Sequence, residues 1–408
     1  MVCLKPCLRT MMCVITILML ISGCTDKKNL TGDNFSDVSA ITVNDESGIM
    51  NGYSFPAEKL ATISGSETKL LAGSYQNATA ISFLRFTGLP EDMINIRPDS
   101  CFLQVKISKR SALPRNPLKL KLYKLNKVWS DSIDLEAITN SDLSQNPLAE
   151  WTVADTIGST GKVVKFALPT SEIFNWETPD TLGWNFVLKT ENDGWVEIIS
   201  SEQSTGPKLN LNYQTEVEGE YETYNEFPAK DTYTLNAPVG VTSESWKISN
   251  LTSTRMYLLY EPTYTIFKDN EGNMLDSLQI KRMTINKAVI VLHIKQNDYY
   301  SGTNSYSLYS FNVVKDSITD MIPLVTGDYE IISNTVTSTG YVSSDSITVD
   351  ITPIMQAYSS ADKKPKGIMI QSLQERQNFG TVEFWDCKDS TPAGKKPYIK
   401  ITYTPPYL

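Results

Sequence analysis

Histidine is nearly missing from this chain of 408 residues; His293 is its single copy. That excludes sites built from several imidazoles, and it leaves any Ser-His-Asp or Cys-His scheme one possible base. Cysteine is also scarce. Of six, Cys3, Cys7 and Cys13 crowd the amino terminus, and Cys24, Cys101 and Cys387 are too few for a disulfide framework. No Cys-x-x-Cys pair and no Gly-rich phosphate-cradling loop occurs. Basic runs are lacking. Lys+Arg number 37 against 46 Asp+Glu, a formal charge of -9, which has the wrong sign and no clustering for phosphate contacts, so no nucleic-acid partner is expected. Past the first residues there is no apolar run long enough to cross a bilayer as a helix. Amphipathic helices longer than two turns are missing as well. Pro169–Trp176 and Pro353–Tyr358 each read as one short helical turn.

The amino terminus reads as a targeting segment. Lys5 and Arg9 form a positive region, and Met11–Ile21 is apolar but too short to span a membrane. Ile21-Ser22-Gly23-Cys24 follows directly and resembles the bacterial lipobox, which implies a signal peptide over residues 1–23 and lipidation at Cys24. Diacylglycerol plus a further acyl chain anchors firmly, so the membrane is an expected partner through Cys24. Residues 24–45 are polar and small and read as a flexible tether. Asp26 lies one position beyond the residue next to Cys24, so a simple inner-membrane retention signal is absent. This favours the outer membrane or cell surface within the envelope.

What remains alternates with period two. Leu118–Leu122, Ala288–Ile294 and Ile399–Tyr403 place apolar residues at every second position, as half-buried strands do. Turn residues recur between them, as in Gly88-Leu89-Pro90, Asn192-Asp193-Gly194 and Asn378-Phe379-Gly380. The two halves match in order. Phe83–Phe86 corresponds to Tyr257–Tyr260, Cys101–Ile107 to Ala288–Ile294, and Leu122-Tyr123 to Leu308-Tyr309. Gly183–Phe186 corresponds to Gly367–Ile370, Val196–Ile198 to Val382–Phe384, and Pro207–Tyr213 to Pro397–Tyr403. After the first pair the spacing stays at about 184–190 residues, and six ordered matches make a duplication. The expected fold is all-β: two tandem antiparallel β-sandwiches of jelly-roll type, module 1 over 46–214 and module 2 over 225–408, with 215–224 as an acidic linker.

The order of these segments carries a resemblance. Phe83-Leu84-Arg85-Phe86 is followed by a Cys- or Ala-initiated strand, then by Leu122–Trp129 with its Leu-Tyr and terminal Val-Trp. Asp350-Ile351-Thr352 precedes Tyr358, and Gly367 and Pro397–Tyr403 close the second copy. This resembles the disaggregatase-related DNRLRE-type repeat, a jelly-roll family that includes alginate-binding carbohydrate-binding modules. The resemblance implies non-catalytic sandwiches and a polysaccharide ligand, and it puts Trp129 and Trp176 at framework positions.

Read residue by residue, the candidate chemistry is thin. His293 points away from the face shared by Ala288, Ile290, Leu292 and Ile294, as a surface histidine on a strand does. Asp269-Asn270-Glu271-Gly272-Asn273 reads as a hairpin turn, because Met274 and Ile280 stand where an EF-hand needs Gly and Glu. Trp184 alternates with Phe186 and Leu188 and belongs to the core, whereas Trp385 shares a face with Glu383. Tyr299 and Tyr300 lie in an inserted loop of Asn, Asp, Ser, Gly and Thr, a setting of flat rings among hydrogen-bonding groups. Tyr299, Tyr300 and Trp385 are therefore the candidate ligand-binding residues. No catalytic residue, metal or cofactor is assigned. The expectation is a lipid-anchored, non-catalytic envelope protein whose sandwiches bind polysaccharide; the alternative is a structural or protein-binding surface lipoprotein without a glycan ligand. The sequence does not fix the oligomeric state.

Overall fold

The computed structural model describes residues 39–57, 66–75, 77–89, 97–111, 117–127, 129, 138–154, 156–173, 176, 183–215, 217, 219–238, 240–297, 305–314, 324–325, 327–330, 338–341, 345–360 and 365–407. The signal segment, Cys24, Tyr299 and Tyr300 lie outside them.

Strands dominate, as the alternation requires. The first copy supplies β1 (Ile41–Asp45), β2 (Ile49–Pro56), β3 (Lys69–Tyr75), β4 (Ala78–Phe86), β5 (Arg97–Arg110), β6 (Leu118–Lys124), β7 (Ala149–Val153), β8 (Lys162–Ala167), β9 (Trp184–Thr190), β10 (Gly194–Ile199) and β11 (Lys208–Gln214). The second supplies β12 (Tyr221–Glu226), β13 (Lys230–Asn236), β14 (Trp246–Ser249), β15 (Thr254–Tyr260), β16 (Thr284–Asn297), β17 (Ser305–Val313), β18 (Tyr329–Glu330), β19 (Ser338–Tyr341), β20 (Ser346–Asp350), β21 (Gly367–Ser372), β22 (Thr381–Phe384) and β23 (Tyr398–Thr404). All pairing among the described strands is antiparallel. The fold is all-β, with two sandwiches.

Short helices occupy Thr170–Ile173 and Thr352–Ser360, where the sequence suggests single turns. A third, Ser277–Arg282, was not expected. Asp276 caps it by accepting from the Leu278 and Gln279 amides, while the Gln279 side chain accepts from the Asp276 amide. Asp276-x-x-Gln279 is the capping-box spacing, a signal the strand pattern had masked.

The two sandwiches have the same plan. In one the strand order is β12-β11-β5-β10-β3-β4-β9-β6-β7, with β13 on β4 and β8 on β5. In the other it is β1-β23-β16-β22-β14-β15-β21-β17-β18, with β2 on β15 and β20 on β16. Long β16 turns the sheet from one layer to the other. Its first half pairs with β20 and β23, and from Ile294 onward it pairs with β22 across a register shift between Ile294 and Gln296. β5 does the same between β11 and β10.

Five of the six sequence correspondences occupy equivalent registers. Cys101 faces Leu211 as Ala288 faces Ile401, Leu122 faces Leu188 as Leu308 faces Ser372, and Ile198 faces Ile107 as Phe384 faces Ile294. The remaining one slips by two residues. Phe86 faces Trp184, and Leu258, not Tyr260, faces Ile368. A shift of two keeps every side chain on its face, so alternation alone could not detect it. Gly183 and Gly367 fix the true register: a Cβ on either would strike the carbonyl oxygen of Phe86 or Leu258.

The chain departs from a simple tandem in one respect. The leading strands of each copy sit in the other sandwich. β1 lies on β23 and β2 on β15, so residues 41–56 complete the second sandwich. β12 lies on β11 and β13 on β4, so residues 221–236 complete the first. The expected tether over 24–45 therefore ends in strand β1, because Ile41 and Val43 pack on the core at alternate positions. The segment read as a linker, 215–224, likewise runs into β12. The main core cluster contains residues of both sandwiches. Phe379, 1 % exposed, joins them directly: its ring stacks on Trp195 at 5.4 Å and meets Tyr75 edge-on. Beside it the Arg376 guanidinium donates to Leu235 O, and Tyr233 Oη donates to Arg376 O.

Candidate functional site

Of the three expected ligand-binding residues, Trp385 alone falls among the described ones. It follows β22, and its amide donates to His293 O at 2.9 Å, which extends the β22–β16 ladder by one residue. The alternation that buries Val382 and Phe384 turns Glu383 and Trp385 outward, and the indole is half-buried.

A cleft of about 270 Å³ opens there, bordered by Trp385, Glu383, Lys295, Glu244, Asp386 and Lys388. Its floor is rigid. Trp246 is 1 % exposed, and its Nε1 donates to Gly52 O on exchanged β2. On one side Lys295 Nζ binds Glu383 Oε1 at 2.6 Å and lies 5.7 Å from the Trp385 ring centroid. On the other, Lys388 Nζ binds Glu244 Oε2 at 2.9 Å, and that bond raises the lysine pKa. Asp386 shapes the loop between them by accepting from the Lys388 amide and from Thr391 Oγ1. Three carboxylates thus face two ammonium groups around one accessible ring. Such a surface can stack an apolar sugar face on the indole and bind its hydroxyls through paired charges.

The equivalent place in the first sandwich is closed. Glu197 stands in the position of Glu383 but is 1 % exposed and bound to Lys69 at 3.1 Å, and Ile199 replaces Trp385. Glu383 sharing a face with Trp385 was legible from alternation. Lys295, Glu244 and Lys388 were missed, because strand pairing and a loop contact bring them in from distant segments.

The other tryptophans are structural, apart from Trp151. Trp184 is buried and meets Trp176 edge-on at 4.9 Å. Trp129 is 5 % exposed and lies under the Arg85 guanidinium, which also donates to its carbonyl oxygen. Arg85 is thereby tied to Trp129 as a framework pair. Trp151, passed over in the sequence, is exposed on β7. His293 is half-buried on β16, and burial, then the nearby Lys395, holds its pKa below the ordinary histidine value. Asp269-Asn270-Glu271-Gly272-Asn273 is a hairpin turn in which Asp269 Oδ1 accepts from the Glu271 and Asn273 amides. Among the described residues no three His, Cys, Asp or Glu side chains group as metal ligands, and no helix is long and apolar enough to cross a membrane.

No family model matches the chain, and no curated protein matches it either.

Proposed function

We propose that this chain is a lipid-anchored, non-catalytic protein of the cell envelope that holds polysaccharide in the Trp385 cleft of its second sandwich. The half-buried indole between the Lys295–Glu383 and Lys388–Glu244 pairs is the observation that carries the reading. Ring faces that stay accessible beside fixed hydrogen-bonding groups are rare on a soluble surface and suit pyranose stacking. The excess of carboxylates over ammonium groups favours a neutral glycan over an acidic one, since a polyanion would meet like charge. Each carboxylate is also engaged by a lysine or a hydroxyl, which suits binding better than proton transfer. Tyr299 and Tyr300 follow Lys295 closely in sequence.

The resemblance to DNRLRE-type repeats and the lipobox-like Ile21–Cys24 support the envelope setting. Affinity electrophoresis in gels containing neutral or acidic polysaccharides tests the site. Retardation in a neutral gel should fall for Trp385→Ala, with roughly a tenfold or greater rise in Kd for loss of one stacked ring. Unchanged retardation would move the site elsewhere, and no retardation in any gel would favour the structural or protein-binding lipoprotein. For the anchor, Cys24→Ala should release the protein from the membrane fraction; a variant that stays membrane-bound would refute lipidation there.

A further inference from the structure

The exchange of leading strands makes part of the second sandwich a strand-acceptor site. β15 has β14 and β21 along one flank, and its other flank is filled by β2 alone, from Thr254 opposite Pro56 to Tyr260 opposite Ile49. β23 is likewise edged by β1, from Tyr403 opposite Ile41 to Ile399 opposite Asp45. These occupants come from the far end of the chain, through residues 57–68, which lead on to β3 in the other sandwich.

The site recognises its occupant closely. Phe55 is fully buried among Tyr257, Phe311, Val313 and Met369, all of the second copy. Gly52 fits because a Cβ there would approach Tyr257 O to 2.7 Å and the Trp246 ring to 2.9 Å. Ser54 Oγ donates to the Ser245 and Lys247 carbonyl oxygens and accepts from the Lys247 amide. Asp45, 1 % exposed, accepts from Gly48 N, Tyr260 Oη and Thr263 N. Each contact joins the segment 39–57 to the second sandwich or closes the turn between β1 and β2. None requires that the segment be continuous with the first sandwich it leads into.

The same donation runs the other way inside the chain. β12 and β13 occupy β11 and β4 in the positions that β1 and β2 hold on β23 and β15. The protein is thus a swapped pair of repeats closed on itself. From this equivalence we infer that a second copy of this chain is a partner, bound by reciprocal exchange of residues 39–57. In that dimer each second sandwich is completed by residues 39–57 of the other chain. Every contact named above is made again, and the two-fold arrangement closes without leaving a free acceptor. Exchange costs the detachment of β1 from β23 and of β2 from β15 and the entropy of association, so it gains with local concentration, as on a surface that holds many copies. It does not depend on what the Trp385 cleft binds.

Thr42 and Thr402 report on it, because they are paired residues of β1 and β23 with hydroxyl oxygens 2.9 Å apart. Full-length Thr42→Cys chains are mixed with isotope-labelled Thr402→Cys chains, brought close to the melting temperature, cooled and oxidised. Peptide mass spectrometry then reads the disulfide between positions 42 and 402 specifically, apart from the native cysteines. A linkage joining unlabelled to labelled chain is expected, with a yield that rises with protein concentration. The Thr42→Cys/Thr402→Cys double variant should form the same linkage within one chain when dilute. If the double variant closes and the mixed single variants give no linkage at any concentration, the exchange between copies is refuted. If the double variant does not close, β1 does not lie on β23 and the exchange between copies falls with it.

Discussion

Phe55 belongs to the first repeat by sequence and to the second sandwich by packing, so its truncation separates the two assignments. Its side chain is fully buried in a cluster with Tyr53, Tyr257, Phe311, Val313, Leu324 and Met369. Phe→Ala in such a site loses transfer free energy and leaves a cavity, about 3–5 kcal/mol together. The strands bordering that cavity are β15, β17 and β21. Native-state amide hydrogen exchange of Phe55→Ala should therefore show protection falling over 254–260, 305–313 and 367–372. If these strands open as a unit, 3–5 kcal/mol is roughly two to nearly four orders of magnitude in exchange rate. Protection over β4 and β5 should change little. Phe83→Ala is the mirror control: Phe83 is equally buried, in a cluster with Leu125, Trp129, Leu143 and Val187, so its loss should appear in β4, β6 and β9. Loss confined to the first sandwich in Phe55→Ala would refute the strand exchange. Equal loss in both sandwiches would refute their independent opening.

Phe379→Ala should remove the stack on Trp195 and the edge contact with Tyr75, at a cost of about 3–5 kcal/mol, read as a lower Tm and a larger radius of gyration by small-angle scattering. An unchanged radius would show that the two chain crossings and the Arg376 contacts suffice to hold the sandwiches together. Asp231 is buried on β13 and accepts from the Ser201 amide; burial raises its pKa despite that bond. A carboxyl with a raised folded pKa binds its proton more tightly in the native state. Its contribution therefore grows as pH falls through the folded pKa toward the ordinary value of 3.8 and is absent above it. Asp231→Asn should be more stable than the parent at pH 7, and the difference should shrink on acidification in denaturant titrations; a difference independent of pH would refute the assignment.

How much of this was legible follows from what alternation encodes. A period of two reports which residues share a face, so the core strands, their order and the duplication could be read directly, down to Cys101 with Ala288 and Ile198 with Phe384. It does not report the neighbour. Ile41 and Val43 alternate equally well against β11 or β23, and nothing local in 41–56 or 221–236 says which sandwich either pair completes. The same blindness produced the two-residue slip at Phe83–Phe86, which only the close approach of Gly183 and Gly367 resolves. At the cleft, Trp385 and Glu383 were a legible pair because they are two apart on one strand. Lys388 and Glu244 meet across a loop, and Lys295 arrives through the register shift in β16, so their convergence is a tertiary fact.

The exchange also changes which sandwich the amino-terminal segment leads into. In a plain tandem it would enter the first sandwich, and the second would be reached through the linker. Here it runs into β1, whose neighbour is β23, so the first and last described strands are partners, with Ile41 opposite Tyr403. In the lipid-anchored protein proposed above, a pull on the segment before β1 is resisted by the β1–β23 ladder and by buried Asp45, which ties the turn between β1 and β2 to Tyr260 and Thr263. The cleft stands on the same sandwich, with β2 beneath it through the Trp246–Gly52 bond. The amino-terminal segment and the cleft are thus joined through one exchanged pair of strands. The first sandwich, whose equivalent site is closed by Glu197 and Ile199, is joined to the second by two passages of the chain and by the Phe379 and Arg376 contacts. Duplication supplied two similar frames that complete each other, and the chain's path gives them unequal roles: one carries the cleft and adjoins the amino-terminal segment, while in the other the equivalent place is closed.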